Sequence, residues 1–158
     1  MRFSLRSFRH PFYPNLAVTP AVGCNRVSHG LSGTYLQLTR AAEAGARVSR
    51  MVFALHYPGT PLLSEAQRDH LWEVFQVPVL ALLVDHGGRL LAYECEAQCG
   101  LHVGAQSWWS AGVLEAAPCE CGRPGPRLQL ATREPAGAAQ TAAPSTFSAA
   151  CRPSPAAL

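Results

Sequence analysis

Residues 64–84, SEAQRDHLWEVFQVPVLALLV, contain the local signals that decide the fold. Ser64 and Gln67, three residues apart, form the capping-box pattern with which many helices begin. Apolar side chains of one helical face follow, at Leu71, Val74 and Phe75. Pro78 marks the end of this helix, and Val79–Val84 is apolar throughout, as expected of a strand that is covered on both faces.

A strand is also predicted before this helix. Residues 48–55, VSRMVFAL, have the composition of a short buried strand. The order strand, helix, strand is that of a βαβ unit, in which a right-handed crossover joins two parallel strands. We therefore expect the 48–55 and 79–84 strands to be neighbours, with the 64–76 helix packed on one face of their sheet.

Two further elements extend this unit. Residues 34–44 are rich in helix-forming residues and are followed by Gly45, a residue type that commonly ends helices, so they predict a second helix. DHGG at 85–88 predicts a turn, followed by an antiparallel strand over 89–95. The predicted fold class is therefore α/β, with a small, mostly parallel sheet and flanking helices.

Composition separates one folded segment of the 158-residue chain from its two ends. Residues 131–158 consist mainly of Ala, Pro, Ser and Thr, with too little apolar surface to offset the entropy of ordering, and predict a disordered tail. Residues 1–22 predict a flexible segment without the apolar run of a signal peptide or membrane span. The folded α/β segment is expected over 23–130, and a cytoplasmic protein without membrane contact is the default expectation.

All thirteen basic residues are arginine, and the formal net charge is +3. The arginines are scattered along the chain and do not alternate with aromatic residues, so the pattern disfavours nucleic-acid binding. Because the chain contains no lysine, it cannot supply a Schiff-base nucleophile or a lysine that clamps a phosphate.

Four of the six cysteines and one histidine lie between positions 95 and 121. Thiolate and imidazole are the ligands that zinc prefers, and three cysteines with one histidine complete a tetrahedron with no open position. The pattern therefore predicts a structural Zn²⁺ site in a Cys/His loop, although the spacing differs from the common Cys-x-x-Cys knuckle. The alternative is that these cysteines are reduced thiols in loops. The candidate ligands are Cys95, Cys99, His102, Cys119 and Cys121.

The motif order in this region resembles the phenylacetate-CoA ligase family of adenylate-forming enzymes. The matching motifs are YEC at 93–95, GLH at 100–102 and CECGR at 119–123, and the resemblance extends over roughly residues 48–128. It implies a fragment of an adenylate-forming domain, from a family that activates acids with ATP and Mg²⁺ and transfers them to CoA. It also implies that zinc is held by four of the candidates, with Cys99 as a spectator or substitute. Those four are Cys95, His102, Cys119 and Cys121.

The chain departs from the family at the residues that carry out the family's reaction. The adenylation signature falls on ALLVD at 81–85, where only the acid persists, as Asp85. The resemblance makes Asp85 a remnant of the Mg²⁺-binding acid, whereas its own sequence context predicts the first residue of a hairpin turn. The phosphate loop, the ribose-binding aspartate and the lysine of the family are missing. No catalytic residue is predicted, and binding of ATP, Mg²⁺ or CoA is not expected.

Two functions from different classes follow. The chain is either a ligase-family fragment that is catalytically incompetent alone or a non-catalytic, zinc-stabilised α/β interaction module. A degraded gene product without function is a third account. No motif names a partner, and a separately encoded ligase segment is one candidate.

Overall fold

The computed structural model describes residues 10–103 and 112–130, which form two helices and eight strands in one mixed sheet. The helices are α1 (Tyr35–Glu43) and α2 (Glu65–Phe75). The strands in chain order are β1 (Val18–Pro20), β2 (Val27–Gly33), β3 (Arg47–His56), β4 (Val79–Val84), β5 (Leu90–Glu94), β6 (Leu101–Val103), β7 (Gly112–Glu115) and β8 (Arg127–Leu130). The predicted tail, 131–158, lies outside the described residues.

The strands of the sheet are arranged in the order β1-β2-β3-β4-β5-β6-β8-β7. The three pairings from β1 to β4 are parallel, and the four from β4 to β7 are antiparallel. The prediction of a mostly parallel sheet was therefore wrong. Helical crossovers join β2 to β3 and β3 to β4, whereas residues 85–89, between β4 and β5, are too few for a helical crossover of about a dozen residues, so the chain returns antiparallel there.

The predicted βαβ unit is confirmed. β3 pairs with β4 in parallel, and α2 begins after Ser64, whose hydroxyl accepts the Gln67 N–H while the Gln67 side chain accepts the Ser64 N–H. The helix ends at Gln76, which adopts a left-handed conformation with φ 55°. α1 confirms the other predicted helix.

Strand β2 was not predicted, although it lies between β1 and β3. Its sequence, VSHGLSG, is rich in glycine and serine and has no apolar run. Gly33 is required by packing, because a Cβ at this position would lie 2.9 Å from the Cβ of Ala21. The strand is therefore stabilised mainly by pairing and packing with its neighbours, to which the buried side chain of Leu31 contributes.

Apolar clusters cover the central strands on both faces. All six residues of β4 are buried, as its continuous apolar sequence predicts. On the other face from the helices, Tyr13 and Leu16 pack against Phe53 and Leu82, so residues from the predicted N-terminal segment contribute to this core. The helix-side cluster includes Leu31, Leu38, Val52, Leu71, Phe75 and Val79. Within the described ranges, neither helix is long and apolar enough to cross a membrane.

Candidate metal centre

The antiparallel half of the sheet brings the four predicted ligands together. Cys95 directly follows β5, and His102 is the central residue of β6, where it pairs with Tyr93 of β5. Cys119 and Cys121 lie in the loop between β7 and β8, and β8 pairs with β6. The ligands thus come from three segments that approach one another only because the strands pair.

The ligand atoms of Cys95, His102, Cys119 and Cys121 all lie within 4.8 Å of one another. The Sγ atoms of Cys95 and Cys119 are 3.6 Å apart, and Sγ of Cys121 lies 3.4 Å from Nε2 of His102. Ligand atoms on a zinc tetrahedron are about 3.5 to 3.8 Å apart, given Zn–S and Zn–N distances of about 2.3 and 2.0 Å. The group could therefore hold a metal such as zinc.

The buried surroundings of these ligands disfavour the charged forms of the Cys95 thiol and the His102 imidazole. Burial, together with hydrogen bonds to the neighbouring thiols, raises the pKa of Cys95 to about 12. Burial also lowers the pKa of His102, assisted by the positive charges of Arg123 and Arg127, so the imidazole is neutral at pH 7 and can act as a ligand. A bound cation would compensate the cost of several buried thiolates at this position.

Cys121 differs from the other three ligands because it is only half-buried. Burial acts to raise its pKa, but hydrogen bonds from Arg123 and from the two neighbouring thiols outweigh this effect, so its pKa is lowered. Cys121 therefore loses its proton more readily than Cys95.

Three side chains around the ligands were missed by the sequence-based prediction. The Tyr93 ring stacks on His102, with centroids 5.7 Å apart and planes 14° apart, and Phe12 meets the His102 ring edge-on at 5.6 Å. The guanidinium of Arg123 lies 3.7 Å above the Phe12 ring and also donates a hydrogen bond to Glu96, at 2.7 Å. Phe12 is more than eighty positions from His102 in sequence, so no local signal could have linked them.

An ion pair fixes the strand end that carries Cys95. The carboxylate of Glu94, only 5% exposed, accepts two hydrogen bonds from Arg68, at 3.0 and 3.1 Å. It also accepts the backbone N–H of Ala81 at 2.7 Å, and Arg68 donates to the carbonyl of Val79 at 2.7 Å. These bonds tie α2 and β4 to the last residue of β5, immediately before the first metal ligand.

Asp85 and Cys99 lie outside the group of four. Asp85 accepts hydrogen bonds from the backbone N–H groups of Gly87 and Arg89, at 2.9 and 2.8 Å, and the bond to Arg89 is the main cause of its lowered pKa. Asp85 therefore acts as a turn residue. Cys99 is buried in the same small cluster as Cys95 and Cys119 but is not one of the four residues whose ligand atoms converge.

Comparison with known proteins gives little sequence-level information. No protein-family model matches the chain, and no curated protein matches it. The structure is weakly similar to a solved structure of 2-hydroxyisobutyryl-CoA ligase in complex with 2-HIB-AMP and CoA, with a TM-score of 0.46 and 12% identity. The similarity covers 64% of this chain and 32% of that one, so the chain spans about a third of the ligase. No homologue supports the finer resemblance to phenylacetate-CoA ligases.

Proposed function

We propose that this chain is a non-catalytic α/β interaction module whose antiparallel half is held together by a structural zinc ion. Cys95, His102, Cys119 and Cys121 are the proposed ligands. One observation carries the proposal: ligand atoms from three chain segments lie within 4.8 Å of one another.

The composition of the group favours a structural rather than a catalytic metal. Three sulfur atoms and one nitrogen occupy all four positions of a tetrahedron, so no position remains for water or substrate. Bound zinc would supply cross-links between segments and neutralise thiolate charge. Such links would reinforce the antiparallel half, because among the described residues β6 and β8 are paired at two positions and joined by one further backbone hydrogen bond, from Val103 N–H to the carbonyl of Pro126.

The thiols of the proposed ligands are free to bind a metal. Cys24, Cys95, Cys119 and Cys121 are free. The sulfur atoms of Cys95 and Cys119 lie 3.6 Å apart without a disulfide between them. Two unbonded thiols at this distance can serve as ligands of one metal ion.

A second candidate function is a fragment of an acid–CoA ligase, supported by the order of the YEC, GLH and CECGR motifs. In this account the chain alone is catalytically incompetent, because the phosphate loop, the ribose-binding acid and the lysine of that family are missing. Its partner would be a separately encoded ligase segment. Release of pyrophosphate from ATP by the purified chain, with a panel of aryl acids, would contradict the assignment as non-catalytic.

Metal analysis tests the zinc site. Protein purified without a histidine tag should contain about one zinc per chain. The Cys119→Ser/Cys121→Ser double variant should lose the metal, whereas Cys99→Ser should retain it. Cys24→Ser is a matched control, because Cys24 is also a buried free thiol but packs in the helix-side cluster. Absence of bound metal, or its loss only in Cys99→Ser, would reject the assignment.

A further inference from the structure

An open cleft with polar and apolar lining residues lies in the parallel half of the sheet, away from the Cys/His group. It is formed by the chain before β1 and by the first halves of β2 and β3, and its volume is about 420 Å³. Its lining residues are Asn15, Leu16, Ala17, His29, Ser49 and Arg50. This volume falls within the range of about 300 to 1,000 Å³ that is typical of small-molecule sites.

An irregularity in strand pairing builds one wall of this cleft. Ser28 of β2 pairs with Val48 of β3, but Gly30 pairs with Met51, so β3 has one residue more than β2 in this interval. In a regular strand, consecutive side chains point to opposite faces, whereas a bulge redirects a side chain. The extra residue explains why Ser49 and Arg50, adjacent in sequence, both line the same cleft.

A glycine allows the opposite wall to lie close to β2. The N–H of Gly30 donates to the carbonyl of Ala17 at 3.1 Å. A Cβ at this position would lie 3.3 Å from that oxygen and 3.2 Å from Cγ2 of Val18, closer than most side chains tolerate. The absence of a side chain at Gly30 therefore allows residues 15–17 to pack directly against β2.

The cleft offers hydrogen-bond donors, and none of its lining residues in the described part of the chain is acidic. Nδ1 of His29 and Oγ of Ser49 are hydrogen-bonded at 3.1 Å, which holds the two side chains side by side. Arg50 forms no ion pair in the part of the chain that the structure describes, where the paired arginines are Arg68, Arg89, Arg123 and Arg127. Residues 26–50 contain four arginines and only one acid, Glu43, so this end of the sheet is positively charged.

We propose that this cleft binds the oxyanion group of a small molecule, a phosphate ester or a carboxylate, through Arg50 and His29, with Ser49 positioning the imidazole. A guanidinium presents paired N–H donors whose spacing matches two oxygens of either group. The single proton of the Ser49 hydroxyl is shared between Nδ1 of His29 and the Ser28 carbonyl, 3.4 Å away, so Ser49 holds the imidazole in place, and the Nε2–H of that ring adds a donor beside Arg50. The surrounding positive charge attracts the anion, while the bulge sets the positions of the donors.

Titration of the zinc-loaded full chain with inorganic phosphate and with acetate, followed by NMR of the backbone amides, tests this site. We expect saturable shifts at residues 15–17, 29, 49 and 50, with a Kd of about 1 mM at low salt. Arg50→Gln should weaken binding by about tenfold or more. Ser49→Ala, which retains the charge, should weaken it by about threefold.

Arg26→Gln is the matched control, because it removes the same charge from the same end of the sheet but does not line the cleft. It should change the Kd by less than about twofold. Tighter binding of phosphate than of acetate would identify a phosphate ester as the ligand class, and the reverse order a carboxylate. Absence of saturation below about 20 mM for both anions, or equal weakening by Arg26→Gln and Arg50→Gln, would overturn the proposal.

Discussion

Replacement of Arg68 by leucine should destabilise the fold strongly, because it leaves the carboxylate of Glu94 buried without its cation. Glu94 is 5% exposed, and the Arg68 side chain is 23% exposed, so water screens the pair only weakly. The carboxylate accepts three hydrogen bonds, and Arg68 supplies two of them, at 3.0 and 3.1 Å. After the replacement, only the Ala81 N–H remains as a donor.

Breaking a buried ion pair from one side costs about 3 to 5 kcal/mol. Because Arg68 is partly exposed, water can reach the vacated position, and we expect the lower end, about 3 kcal/mol. The Arg68→Leu/Glu94→Leu double variant should lose less, about 1 to 2 kcal/mol, because it leaves no unpaired charge. The diagnostic result is that the single variant has a lower free energy of unfolding than the double variant.

Urea denaturation of the zinc-loaded protein measures these free energies of unfolding. The Arg89–Asp85 pair supplies the control: its side chains are 68% and 32% exposed, so water screens the pair and Arg89→Leu should leave the free energy of unfolding almost unchanged. If Arg68→Leu lowers the free energy of unfolding by less than about 1 kcal/mol, or if the double variant is less stable than the single one, the buried ion pair does not hold β5 to α2.

Three further predictions concern the metal centre and acid stability. Chelation of zinc should remove hydrogen-exchange protection from β5 to β8 before β2 to β4, and simultaneous loss in both halves would contradict a local metal cross-link. Phe12→Ala should accelerate zinc transfer to a chelator by about tenfold at unchanged stoichiometry, because the ring covers His102 and Arg123; an unchanged rate would show that the ring does not shield the metal. Burial lowers the pKa of His10 from 6.5 to about 4, so its contribution to stability is complete above about pH 6.5, declines as the pH falls and levels off below about pH 4. The decline amounts to about 3 kcal/mol and should be smaller in His10→Asn, as measured by urea denaturation across this pH range; equal slopes would refute it.

Local sequence signals predicted the centre of the fold. The capping box at Ser64 and Gln67 involves residues three positions apart, and the apolar run of β4 is continuous, so both patterns are complete within one short segment. The clustering of cysteines with His102 likewise predicted a metal site, and the predicted ligand atoms converge. In each instance the residues that interact are close in sequence or share an unusual composition.

Strand pairing and burial between distant segments could not be predicted in this way. β2 has no strand pattern of its own and is buried by β1, β3 and α1, while the direction of the strands after β4 depends on connections too short for a helical crossover. Three of the contacts at the two sites join segments at least twenty residues apart in sequence. They are the contact of Phe12 with His102, the ion pair of Arg68 with Glu94, and the shared cleft of Arg50 and His29. The free energy of such contacts depends on the apolar surface buried and the charges paired when the whole sheet assembles, so only the tertiary structure decides them.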